Sequence, residues 1–281
     1  MEKTGLAAEH ERFGRRPAGF GWLPDHMDRR DLHYAAPLRL LKAAPAAVDF
    51  SADFPAPWDQ GEIGSYVGQA VAAAVWWARM KAGRRLFMPS RTFTYWGARK
   101  IEGTVALDAG CQIRSAIKFT ADEGVCPEYM WPYDDVLPAD PVTWVFPKRS
   151  RAVRTPTDRV MERADDHQAI TYARVAQSVG SLRACLAENF PVAFGFMVYS
   201  SLYNYDGWPR AELPMPNYSA DYPMGGHAVL MTGYDDGRRA FKCRNSWGVD
   251  VQEKGHFWLP YEYAADPALA ADFWTIRAME S

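Results

Sequence analysis

The amino-acid sequence predicts an α+β fold of two lobes, and three observations carry that prediction. An alanine-rich helical pattern lies early, from Ser65 to Ala82. Short β-rich runs crowd the later part, at 191–198, 227–234, 240–245, 255–259 and 273–278. Helices thus precede strands instead of alternating with them, which favours a helical lobe followed by an antiparallel β-rich lobe over a parallel α/β sheet.

In chain order, residues 1–47 mix charges with Pro, Gly and Ala (Arg15, Arg16, Pro17, Gly19, Gly21, then Pro37 to Pro45) and read as an extended arm wrapped on the surface. The domain proper is expected at 48–281, mainly helical over about 48–160 and mainly β over about 161–281. Gln60 to Ser65 reads as a turn-forming loop, with Gly64 giving flexibility and Ser65 a candidate N-cap, so that Tyr66 is delivered to a helix N-terminus. The helix that follows has apolar residues at 67, 71, 74, 75 and 78 and stops at Gly83, as a buried helix should. A second helix is expected over Gln112 to Asp122 and a third over about Ser181 to Glu188, the latter placing Cys185 on a surface-type helix. Asp235-Asp236-Gly237 marks a hairpin turn.

Composition narrows the function. Among 281 residues, 32 basic side chains face 34 acidic ones, and a net charge of -2 removes the electrostatic case for a nucleic-acid partner. Apolar stretches such as Val67 to Ala78 fall short of the roughly 20 residues that cross a bilayer, and Met1 to Arg16 is charged, so neither a membrane partner nor a signal peptide is expected. The cysteines, at 111, 126, 185 and 243, form no CxxC pair and no disulfide framework, which makes the cytoplasm the expected location. The six histidines contain no HxxxH or HExxH pair, so no metal and no cofactor are expected. An aromatic load of 11 Trp, 14 Tyr and 14 Phe implies an aromatic-rich core, with Tyr199, Tyr203, Tyr205, Trp208 and Tyr218 as a candidate cleft wall.

Three separated motifs carry the chemistry: Asp59-Gln60-Gly61 with Gly64-Ser65-Tyr66 opening a helix, Gly225-Gly226-His227-Ala228-Val229 opening a strand, and Arg244-Asn245-Ser246-Trp247-Gly248 ending another. Together they resemble the papain-like cysteine peptidases of bacterial type. Gln60 precedes position 66 by 6 residues, His227 follows it by 161, and Asn245 follows His227 by 18. Trp22-Leu23-Pro24-Asp25, Val48-Asp49-Phe50, Cys126-Pro127-Glu128 and Trp131-Pro132-Tyr133 extend the likeness. The resemblance implies a cleft between the two lobes. In it Gln60 is the oxyanion donor, His227 the general base, Asn245 its orienter and Trp247 their shield, with Gly110 and Gly226 bordering the substrate. The chemistry is sound on its own terms. A nucleophile at a helix N-terminus has its anion stabilised by unpaired N–H groups, and an imidazole held by an amide oxygen takes its proton.

The sequence departs from the family at one position: Tyr66 stands where the nucleophilic cysteine is expected. A phenol of ordinary pKa about 10 is a far weaker nucleophile at neutral pH than a thiol, and its oxygen lies several bonds beyond the attack position. Cys111, just after Asp108-Ala109-Gly110, is the other cysteine whose place resembles a cleft segment. Three readings follow. The first is a non-hydrolytic pseudopeptidase that binds a peptide, a protein or a peptide-like small molecule in its cleft. The second is a repurposed enzyme using Tyr66 and His227 as acid and base with a Gln60 oxyanion site. The third is a substituted copy of an active cysteine peptidase, since the Cys and Tyr codons differ by one base.

Overall fold

A computed structural model describes residues 20–279, apart from 27, 141, 170, 204–206 and 208. Residues 1–19 of the arm, and Tyr205 and Trp208 of the aromatic loop, lie outside the described residues. The strands are β1 (Phe20–Gly21), β2 (Ala47–Asp49), β3 (Thr171–Arg174), β4 (Val192–Tyr199), β5 (Pro223–Asp235), β6 (Ala240–Arg244), β7 (His256–Pro260) and β8 (Ala270–Ala278). The helices are α1 (Leu38–Ala43), α2 (Tyr66–Lys81), α3 (Arg91–Glu102), α4 (Ile113–Asp122), α5 (Asp158–Asp165), α6 (Val179–Ala187) and α7 (Tyr261–Ala265). The fold is α+β, with helices α2 to α5 ahead of a sheet ordered β3-β8-β4-β5-β6-β7 whose neighbours are antiparallel. Two further strands lie on β5: β1 of the arm, parallel, and β2 at the junction of arm and domain, antiparallel.

Helix α2 forms because its Ala-rich run has high helix propensity and presents small side chains all round, so thirteen of its sixteen residues are buried. It packs on β5, and Tyr66, Val67, Val71 and Val75 join the main core. Ser65 occupies the cap position, but its hydroxyl hydrogen-bonds the Tyr133 hydroxyl at 2.6 Å instead of capping the helix. Helix α3 was invisible to pattern reading, because Thr92, Phe93, Thr94, Tyr95 and Trp96 are strand-favouring types. It forms because Ser90 caps it through the Phe93 N–H (3.1 Å) and because Gly97 lets the Phe119 ring of α4 press against its backbone. Cys185 is a correction: α6 turns it inward, where it is fully buried with its thiol toward the Phe190 carbonyl at 3.6 Å. The β5–β6 turn follows the expected position, with Asp235 Oδ1 accepting the Gly237 and Arg238 N–H groups at 2.7 and 3.2 Å. Its left-handed residue is Arg239 (φ 53°), not the glycine.

Aromatic residues fill the core as expected, Trp274, Tyr95, Phe194, Phe196 and Phe257 being among its largest fully buried side chains. Among the described residues no helix is long and apolar enough to cross a membrane. The arm does more than wrap the surface. Its residues 20–22 run between the loop at 108–110 and the start of β5.

Candidate active site

The N-terminus of α2 is positioned from both sides. Asp108 accepts the Gly64 N–H at 3.0 Å and the Tyr95 hydroxyl at 2.6 Å, while the same Tyr95 oxygen accepts the Gly110 N–H at 3.2 Å. Asp108, Tyr95 and Gly110 thereby lock the helix entrance to the opposite loop, a set of contacts with no mark in the sequence. Tyr66, first in the helix, is fully buried. Its ring meets His227 edge-on, with centroids 5.1 Å apart and planes at 76°. Its hydroxyl accepts a hydrogen bond from the backbone N–H of Gly21. Burial, reinforced by Cys111 and Asp108 and only partly opposed by the Gly21 bond, pushes the Tyr66 phenol well above its ordinary pKa. It is un-ionised at neutral pH.

His227 lies near the start of β5, opposite Phe196 of β4. Phe196 at 5.7 Å and Trp247 at 5.0 Å enclose its ring together with Tyr66, and Trp247 lies nearly parallel to it at 22°. Tyr203 stacks on the Trp247 ring at 6.4 Å. His227 Nε2 bonds Asn245 Oδ1 at 2.9 Å, and Asn245 Nδ2 donates to Gln252 Oε1 at 2.8 Å. This apolar enclosure disfavours the charged ring, so burial lowers His227 to about 4, with the Asn245 bond acting in the opposite sense.

That depression has a sign. An unfolded histidine titrates near 6.5 and His227 at about 4, so between those values the unfolded chain binds more protons. Stability is therefore complete above pH 6.5 and falls as pH drops toward 4, by about 3 kcal/mol from this group. Urea unfolding measured across that window should show the wild type losing about 3 kcal/mol more than His227→Gln as pH falls from 6.5 toward 4. The same pH dependence in wild type and His227→Gln would refute the assignment.

Gln60 is fully buried beside the helix entrance. Its Nε2 donates to the Ile63 carbonyl at 2.9 Å, and its Oε1 accepts from the Ser246 hydroxyl at 2.5 Å. The residue after Asn245 thus anchors Gln60, joining two of the three motifs directly. Gly110 and Gly226 face each other across the arm. Gly110 has φ +67° and a Cβ there would collide with the Gly21 carbonyl. On the other wall Gly21 pairs with Gly226, and the Trp22 N–H donates to the Gly226 carbonyl at 3.0 Å. The Trp22 indole lies over Gly195 and Gly226, where any side chain would displace it. Beside the arm a cavity of about 340 Å³ remains, bordered by Tyr66, Leu107, Asp108, Thr143 and Trp144.

All four cysteines are free and buried. Burial raises Cys126 and Cys185 to about 12 and drives Cys111 and Cys243 well above the ordinary thiol value. His256 is also buried and held at about 4 chiefly by desolvation, with its Nδ1 near the Lys254 carbonyl, as a structural histidine would be. Among the described residues no cluster of His, Cys, Asp or Glu is arranged to hold a metal.

The family model described as papain family cysteine protease matches residues 106–270, which include His227 and Asn245 and leave Gln60 and Tyr66 outside. The chain belongs to the papain family. Xylellain, a cysteine protease from Xylella fastidiosa, is 43% identical in sequence; its crystal structure superposes with a TM-score of 0.89 over 94% of this chain and 98% of that one. An uncharacterised peptidase C1-like protein of Acanthamoeba polyphaga mimivirus is 35% identical over 228 residues, 78% of this chain and 68% of that protein. Procathepsin B from Trypanosoma congolense, at 14% identity and a TM-score of 0.69 over 98% of this chain and 89% of that one, shares the papain-family fold.

Proposed function

We propose that this chain is a papain-family homologue in which Tyr66 replaces the nucleophilic cysteine, and that it is a non-hydrolytic pseudopeptidase whose cleft holds an extended peptide backbone. The observation that carries the reading is the Tyr66 hydroxyl, which takes the N–H of Gly21 while its ring covers His227. The phenol faces a peptide group as a hydrogen-bond acceptor, and burial keeps it un-ionised and so a poor nucleophile. The arm in the cleft is itself an extended segment, seated by the Gly226 carbonyl and the open side of Gly110. A peptide or peptide-like partner of the same backbone geometry fits that seat in its place.

The acid/base alternative has less support. His227 is lowered to about 4 and Tyr66 raised well above 10, so neither titrates near neutrality, and the hydroxyl is committed to Gly21. Four free cysteines support a reducing compartment such as the cytoplasm.

The test uses Tyr66→Phe, which keeps the ring and removes the oxygen. Fluorogenic peptides should remain uncleaved by both forms. A synthetic peptide copying Phe20 to His26 should bind the variant more tightly than the wild type, by roughly five-fold, because the competing arm has lost one hydrogen bond. Peptide turnover by the purified wild type that His227→Ala abolishes would sink the pseudopeptidase reading. Wild-type turnover of a non-peptide carbonyl compound that Tyr66→Phe abolishes would favour the acid/base alternative.

A further inference from the structure

The loop between β6 and β7 contains a polar residue in an unfavourable backbone state. Gln252 has φ +55°, a left-handed conformation that glycine adopts freely and a long side chain resists. Such outliers persist where surrounding contacts require them. Here the side chain makes two bonds: Nε2 donates to the Arg210 carbonyl at 3.0 Å, and Oε1 accepts from Asn245 Nδ2 at 2.8 Å.

The direction of this relay is determined at both ends. A backbone carbonyl only accepts, so Arg210 requires the nitrogen of Gln252, which turns Oε1 toward Asn245. At the other end the Ser246 N–H only donates, and it meets Asn245 Oδ1 at 2.8 Å. Asn245 therefore presents Oδ1 to the 2.9 Å contact with His227, and the imidazole must be the donor there.

We propose that Gln252 is a positioning residue: it holds the Asn245 amide in the orientation that places the His227 proton on Nε2 and makes Nδ1 the acceptor nitrogen of the ring. Gln252 acts on His227 through Asn245. The assignment stands whether or not Tyr66 abolishes hydrolysis, because it concerns the tautomer of His227 and not turnover.

The experiment reads that tautomer directly, by nitrogen–proton correlation spectra of the imidazoles in the full-length chain near neutral pH. The wild type should show His227 protonated on Nε2. Gln252→Gly suits the left-handed backbone and so preserves the fold, which a thermal melt verifies; it should raise the Nδ1-protonated population by about five-fold, the equivalent of one lost hydrogen bond. Gln252→Glu keeps an oxygen for Asn245 Nδ2 but has no N–H for the Arg210 carbonyl, so its ratio should fall between those of the wild type and Gln252→Gly. A folded Gln252→Gly chain with an unchanged tautomer ratio would overturn the proposal. So would a Gln252→Glu ratio equal to that of Gln252→Gly.

Discussion

Tyr66→Cys is expected to yield a chain that is alkylated by thiol-directed reagents and hydrolyses peptides. The expected gain is large, about 10³-fold or more over the wild type, because loss of a nucleophile costs up to about 10⁶-fold where its partners remain in place. The partners are in place: His227 and Asn245 are 2.9 Å apart, and Gln60 is held by Ser246 and Ile63. The introduced thiol would stand at the N-terminus of a sixteen-residue helix, where the unpaired N–H groups favour its anion. Removing the phenol also frees space beside His227, and it deletes the acceptor of the Gly21 N–H, so the same change loosens the arm. Intact-mass detection of one added label, lost on adding His227→Ala, is the measurement. A folded Tyr66→Cys chain that neither labels nor hydrolyses would refute the expectation that the groups around position 66 can activate a thiol.

The arm is the other place where one substitution should have a large effect. Arg174 on β3 binds three carboxylates: Asp25 and Asp31 of the arm, both at 2.8 Å, and Asp272 of β8 at 3.2 Å. Asp25 also accepts from Trp274 at 2.7 Å and the Arg114 N–H at 3.1 Å. Even so, burial and the neighbouring Asp272 pull Asp25 up to about 7, so the cluster is short of positive charge with Arg174 present. Asp31 keeps its ion pair with Arg114 at 2.9 Å, but Arg174→Met leaves buried Asp25 and Asp272 without their cation, at an expected cost of about 3–5 kcal/mol. Part of that loss should appear locally, as faster amide exchange over residues 20–34, because the arm holds fewer contacts than the sheet. Asp25→Asn added to Arg174→Met should recover part of it. A thermal midpoint and an exchange pattern both unchanged by Arg174→Met would refute this account of how the arm is anchored.

Legibility in the sequence followed the range of the interactions. Helix α2 was readable because alanine propensity and periodic burial are local properties, and its bounds lie one residue inside the expected ones at each end. The strands at β4, β5, β6 and β7 were readable for the same reason, as short β-branched and aromatic runs between turns. Helix α3 was not, because its stability comes from burying Thr, Tyr, Trp and Arg99 against other elements, which overrides their local preference. The inward turn of Cys185 and the bond that takes Ser65 away from capping are likewise decisions of neighbours distant in the chain.

The sequence by itself determined the helix-then-strand order, the motifs around Gln60, His227 and Asn245, and the presence of a phenol at position 66. Only the tertiary structure decided what that phenol does. Its hydroxyl meets Gly21 across 45 residues, and Gly21 reaches the cleft by pairing with Gly226, about two hundred residues further on. A two-residue parallel strand has no periodicity to reveal it, and glycine contacts made through the absence of a side chain leave no trace in composition. The Asn245–Gln252–Arg210 relay is equally silent, since it depends on one left-handed residue and on a carbonyl 42 positions before it. Hydrogen bonds between groups far apart in the chain become specific only once packing has fixed their distance and direction.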